Sequence, residues 1–180
     1  MEFFIKSIAS NLISRIIIIC LVMFGIVACS ENPSESQSSG NVTSGQGTLD
    51  GQWEYLGGDA AHTRYSPANQ INAENFEDVE EVWTWDGASF NAQSGRSTPS
   101  YINGTLYTVA GARRYVTALN PETGEIIWSY GEPKTGRYEY SMRKDYGKGV
   151  AYAEIDGKGV IYISSPAFFL TALDAETGQP

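Results

Sequence analysis

From Gln52 to Pro180 the chain alternates short apolar or aromatic stretches with turn signals. Thr105-Leu106-Tyr107-Thr108-Val109 follows Asn103-Gly104. An Asn-Gly pair tolerates positive φ at both central positions of a two-residue turn, so a β-hairpin is predicted there. Val116-Thr117-Ala118-Leu119 predicts a further strand, Asn120-Pro121-Glu122-Thr123-Gly124 a turn, and Glu125 to Tyr130 an outer strand carrying Trp128. The same grammar recurs. Gly159 to Ile163 repeats Gly104 to Thr108 at an offset of 55 residues, and Ala172 to Gly178 repeats Ala118 to Gly124 at an offset of 54. Two separate segments that agree within one residue define a repeat, and a strand-built period of roughly 50 residues is that of a propeller blade.

Each position in the repeat has a mechanical task. Asn120 and Asp174 can cap their turns through a side-chain oxygen. Gly124 and Gly178 supply the positive-φ corner. Trp128 then lies on a strand from which a flat indole can dock against the next blade, and Trp83, in Val82-Trp83-Thr84-Trp85, reads as its equivalent on the outer strand of a preceding blade. The fold class expected is all-β: about two to two-and-a-half blades of a β-propeller, occupying residues 52–180. The second copy reaches Gln179-Pro180 before any counterpart of Trp128. A complete domain would not leave that sheet edge open. The sequence is therefore expected to be the N-terminal part of a longer protein, inactive and poorly folded by itself.

The first fifty residues have another character. Lys6 and Arg15 precede an unbroken apolar run from Ile16 to Ala28, 13 residues long. That suits the core of a signal peptide and is short of the roughly 20 residues needed to span a bilayer. Ile26-Val27-Ala28-Cys29 resembles a bacterial lipobox. Residues 1–28 are thus expected to be a lipoprotein signal peptide and Cys29 the lipidated residue, anchoring the protein to a membrane through acyl chains. Residues 29–51, rich in Ser, Gly, Asn and Gln, read as a flexible tether. Ser30 after the cysteine resembles the sorting pattern of the outer membrane over the inner, so a periplasm-facing, cell-envelope location is expected.

Composition narrows the function classes. The chain carries 19 Gly, 11 Tyr, 7 Phe and 4 Trp, which favours strands and tight turns over helices. Its formal net charge is −9, and without residues 1–28 it keeps 20 acidic against 10 basic side chains. An acidic surface of this kind repels phosphate backbones, so nucleic acid is excluded as a partner. Both cysteines, Cys20 and Cys29, lie in the leader region, and His62 is the lone histidine, so neither a disulfide nor a His/Cys metal centre is expected in the globular part. The chain has no glycine-rich nucleotide loop or nucleophile elbow. Arg113-Arg114 reads as a solvated turn.

Two signatures carry a family resemblance. Ala118 to Trp128, of the form Ala-x-Asn-x-x-Thr-Gly-x-x-x-Trp, resembles the tryptophan-docking motif of eight-bladed quinoprotein propellers. Trp53-Glu54-Tyr55-Leu56-Gly57-Gly58-Asp59, continuing through Thr63-Arg64-Tyr65-Ser66-Pro67 to Val82-Trp83, resembles the N-terminus of pyrroloquinoline quinone (PQQ)-dependent dehydrogenases of the glucose and alcohol type. The resemblance implies PQQ and Ca²⁺ as cofactors, oxidation of an alcohol or sugar CH–OH group, and a quinone or cytochrome as electron acceptor. It places the catalytic base and most Ca²⁺ ligands beyond Pro180, so no catalytic residue and no metal ligand is assigned within the chain. The adjacent cysteines of the methanol-oxidising branch are missing from Ser141 to Lys148. A family arginine that meets a cofactor carboxylate falls on Lys148, and a family glutamate falls on Arg96. Arg96, Arg143 and Lys148 are the candidate cofactor-binding residues, as cations near an anionic tricarboxylate. A second reading is a non-catalytic propeller scaffold resembling the lipoprotein of the outer-membrane barrel-assembly machinery; the Trp53-to-Pro67 signature argues against it.

Overall fold

In a computed structural model of the chain, residues 46–92, 96–145 and 147–180 are described. The expected signal peptide, the expected lipidation site Cys29 and most of the expected tether lie outside those residues. Among the described residues, no helix is long and apolar enough to cross a membrane.

Among the described residues, seven strands form two antiparallel sheets. The first is a four-stranded meander of β1 (Ser100–Ile102), β2 (Thr105–Ala110), β3 (Tyr115–Leu119) and β4 (Ile126–Tyr130), in that spatial order. The second contains β5 (Ala151–Ile155), β6 (Lys158–Ser164) and β7 (Leu170–Asp174). The hairpin turn expected at Asn103-Gly104 is present, and a second two-residue turn lies at Asp156-Gly157. Asn103 and Gly104 have φ of 48° and 80°, and Asp156 and Gly157 have 52° and 75°. A twisted hairpin needs two such left-handed residues at a two-residue turn.

Alternation decides which side chains meet. Tyr107 and Val109 of β2 stand opposite Ala118 and Val116 of β3 on one face. They pack with Ile161 and Ile163 of β6 and Leu173 of β7 in a single core, margined by Trp128, Tyr130 and Tyr152. Two sheets stacked face to face through interdigitated side chains are neighbouring propeller blades. The other face of the first sheet is also closed: Thr117 and Leu119 are buried, and the Phe90 ring stacks on Tyr115 at 4.5 Å.

Two expectations need correction. Residues 82–85 are not a strand. A strand exists through ladder hydrogen bonds to a neighbour, and none pairs with this segment among the described residues, so Trp83 is held by its side chain alone. Residues 46–51, expected to end the tether, are folded. Thr48 is fully buried, Glu54 N–H donates to Gly47 O at 3.0 Å, and Leu49–Gly51 form a 3-10 turn. A Cβ on Gly47 would lie 2.6 Å from the Tyr55 ring, so this approach needs glycine. The entrance signature itself folds into a compact turn, in which buried Asp59 accepts from the Thr63 N–H and hydroxyl, both at 2.8 Å.

Candidate functional site

The strand directions divide the first sheet into two ends. One holds the hairpin turn 103–104 and the β3–β4 turn 120–125. The other holds the approach to β1, the β2–β3 turn 111–114, and the long connection from β4 to β5.

The first end is locked by indoles. Trp128 Nε1–H donates to Ala175 O at 3.0 Å, and the Tyr107 hydroxyl donates to the same carbonyl at 3.0 Å. A Cβ on Gly178 would lie 2.5 Å from the Trp128 ring. Trp83 repeats the device one blade earlier: its Nε1–H donates to Pro121 O at 3.0 Å, and a Cβ on Gly124 would lie 2.6 Å from its ring. Gly124 and Gly178 also carry φ of 72° and 70°. The glycine thus serves twice, as a left-handed corner and as the floor on which the indole lies. Asn120 Oδ1 accepts from the amides of Glu122 and Thr123, and Asp174 Oδ1 accepts from those of Glu176 and Thr177. The Thr177 hydroxyl and amide hold the Asp174 carboxyl below the usual carboxylate range. Trp83 and Trp128 are packing anchors.

At the second end the charge changes sign. Of the ten cations after residue 28, eight fall in the segments that build it: Arg96, Arg113, Arg114, Lys134, Arg137, Arg143, Lys144 and Lys148. The segments that carry two of the sequence-derived candidates, Arg96 and Lys148, are joined by backbone. Thr98 N–H, two residues after Arg96, donates to Lys148 O at 2.8 Å, which ties the approach to β1 to the approach to β5. Arg143 enters through its carbonyl, which accepts from Arg114 Nη2 at 2.7 Å. Arg96 borders a small cleft with Val109, Gly111, Asp145 and Gly147. The Arg96 and Lys148 side chains are exposed.

Arg113-Arg114 is no solvated turn. Arg113 Nε donates to Glu132 O at 2.7 Å, Nη2 to the same carbonyl, and Nη1 to the Tyr115 hydroxyl at 2.6 Å. Its guanidinium also lies 4.9 Å from the Tyr115 ring centroid. Arg114 Nη1 reaches Ser164 O on the second sheet at 2.8 Å. Burial pulls Arg114 below the ordinary guanidinium value, opposed by the negative charge of Glu132. Arg114 Nε is buried without a hydrogen-bond partner. Sequence reasoning also missed Glu132, which is 3% exposed. No local spacing in the sequence reports a partner 33 residues away.

The donor set at this end fits an anionic, carboxylate-bearing group: clustered guanidinium and ammonium groups with one buried N–H unsatisfied. Among the described residues, no three His, Cys, Asp or Glu side chains gather as metal ligands. An opening of about 230 Å³ at the opposite end, between the sheets, is edged by Glu154 and Glu176 and is unsuited to an anion.

Comparison with known proteins agrees with this architecture. The dehydrogenase subunit of an alcohol dehydrogenase (quinone) from Gluconobacter oxydans is 30% identical over 146 residues, 81% of this chain and 18% of that protein. A quinohemoprotein alcohol dehydrogenase from Comamonas testosteroni is 35% identical over 132 residues, 71% of this chain and 17% of that one. The crystal structure of the Comamonas testosteroni enzyme superposes with a TM-score of 0.56 at 32% identity, covering 71% of this chain and 18% of that chain. The chain thus spans about a fifth of the length of these relatives. Residues 53–180 match the family described as PQQ: glucose/ethanol/alcohol dehydrogenase, β-propeller domain. Two docked antiparallel sheets of four and three strands, their indole locks and the match over residues 53–180 make the chain a member of the PQQ-dependent alcohol dehydrogenase propeller family.

Proposed function

We propose that the chain is part of a cell-envelope quinoprotein oxidoreductase that oxidises an alcohol or sugar CH–OH group with PQQ and Ca²⁺ and passes the electrons to a quinone or a cytochrome. The observation that carries this reading is that eight of the ten cations after residue 28 fall in the segments that build one end of the first sheet, where an anionic cofactor is best held. The printed names of two relatives support the acceptor class: an alcohol dehydrogenase (quinone) and a 1-butanol dehydrogenase (cytochrome c). When bound, PQQ supplies the two-electron acceptor for the substrate carbon. On this reading Arg96 and Lys148 bring positive charge to its carboxylates, with Arg143 beside them, while the Arg113 and Arg114 bonds hold the approaches to the two sheets rigid. The catalytic base and Ca²⁺ ligands would come from outside the described residues. The protein would be held at the envelope by lipid on Cys29, facing the periplasm, at the outer membrane.

The test is reconstitution of the full-length gene product with PQQ and Ca²⁺, followed by dye reduction with a panel of primary alcohols and sugars. Reduction with at least one substrate, dependent on both additions, is expected. Failure to bind PQQ and to reduce dye with any substrate would overturn the proposal in favour of a propeller that has lost its cofactor. Radiolabelled palmitate incorporated in the producing bacterium should appear in the wild type and vanish in Cys29→Ala.

A further inference from the structure

The cationic end carries a clasp distinct from the indole locks. The four residues Ser164 to Ala167, which leave β6, are each held by a side chain of the first sheet or its connection. Arg114 Nη1 donates to Ser164 O at 2.8 Å. The Ser165 hydroxyl donates to Glu132 Oε1 at 2.8 Å. Ser141 Oγ donates to Pro166 O at 2.7 Å. The Ala167 N–H donates to both carboxylate oxygens of Glu132 at 3.1 Å. Glu132 is itself seated by Arg113, which grips its carbonyl.

A buried carboxylate costs several kcal/mol in desolvation unless its oxygens are satisfied. Joining the two sheets does not require one, since Trp128, Tyr107 and the shared apolar core already do so at the other end. What Glu132 adds is direction. It sets where the loop after β6 stands relative to the β2–β3 turn, and so where Arg114, which bonds that loop and the Arg143 carbonyl at once, must stand. A binding site gains affinity when the residues behind it are already ordered.

We propose that Glu132 is a positioning residue for the cofactor-facing end: its carboxylate clasps the Ser164–Ala167 loop of the neighbouring blade and preorganises the cationic surface that receives PQQ. This rests on the reading of that end given above. The experiment uses the full-length protein in four forms: wild type, Glu132→Gln, Ser165→Ala and Trp128→Phe. PQQ affinity is read by quenching of intrinsic fluorescence, cofactor-free thermal midpoint by calorimetry, and loop order by hydrogen exchange of the Ala167 and Phe169 amides. Glu132→Gln keeps the shape but places an amide N–H against the Ala167 N–H. It is expected to weaken PQQ about tenfold and to speed exchange at Ala167. Ser165→Ala removes the hydroxyl that donates to Glu132 Oε1 and accepts from the Phe169 N–H, leaves the Ala167 N–H on the carboxylate, and should weaken PQQ by a smaller factor in the same direction. Trp128→Phe loosens the opposite lock and should lower the midpoint at least as much, with PQQ affinity within twofold of wild type. Unchanged affinity in Glu132→Gln, or an equal loss in Trp128→Phe, overturns the positioning role while leaving the cofactor reading intact. A wild type that takes up no PQQ overturns the cofactor reading itself, and the positioning role with it.

Discussion

Two glycines with nearly the same backbone separate conformation from contact. Gly104 and Gly178 have φ of 80° and 70°, yet a Cβ on Gly104 meets open space while one on Gly178 lies 2.5 Å from the Trp128 ring. Gly104→Ala should therefore cost only the left-handed penalty, about 1–2 kcal/mol. Gly178→Ala should add the cost of displacing an indole, for a total of about 2–5 kcal/mol. Denaturant unfolding of the two full-length variants checks the order, and equal losses would mean that the indole does not rest on Gly178. Tyr107 gives a pH signature. Its hydroxyl is buried against Ala175 O, and desolvation raises its pKa above the ordinary tyrosine value. The unfolded chain then loses this proton first as pH rises. Stability should hold up to the unfolded tyrosine value of about 10 and fall as pH climbs from there towards the raised folded value. Tyr107→Phe should shrink that alkaline loss, leaving the part due to Tyr138 and Tyr152, which burial raises in the same direction. Stability curves of both proteins between pH 9 and 11 (roughly the range in which unfolded tyrosine titrates) provide the check.

At the scale of elements, the β3–β4 turn and the turn after β7 are two solutions of one problem. Asn120 caps the first and Asp174 the second, each with a single oxygen accepting two backbone amides. Asn120→Asp should accordingly be close to neutral, and Asn120→Ala should cost about 1 kcal/mol by leaving those amides without their acceptor. Thermal midpoints of the pair decide between a cap and an incidental contact. These elements were legible in the sequence because turn chemistry is local: the Asn103-Gly104 turn and the Thr-Gly corners fall where expected, whereas the meeting of Tyr107 and Val109 with Ile161 and Ile163 in one core is set by the packing of the sheets. Val82 to Trp85 was not legible. Its composition suits a strand, but a strand is a relation to a neighbour, and only the Trp83 docking half of that expectation holds.

Taken whole, the molecule has polarity along its blades. The turns at the lock end carry Glu122, Glu125, Asp156 and Glu176, while the opposite end holds most of the cations. If the cationic end receives PQQ, the double variant Arg96→Gln/Lys148→Gln should bind it several-fold more weakly at low salt and lose part of the salt dependence shown by wild type, because both side chains are exposed and screened. Fluorescence titrations at two ionic strengths measure this. A double variant whose salt dependence matches wild type would remove these two residues from the site.

The sequence by itself determined the repeat, its turns and the positive-φ role of their glycines, because these depend on which residues tolerate positive φ and where strands alternate with turns. Tertiary structure alone decided how the blades meet at the other end. Arg113 and Arg114 read as solvated until packing supplied Glu132 O and the Tyr115 hydroxyl to the first and Ser164 O to the second, and Glu132 carried no local mark of being buried. A long-range hydrogen bond is a meeting of two surfaces already built, and its partners are set by the packing of sheets, about which neighbouring residues in the chain hold no information.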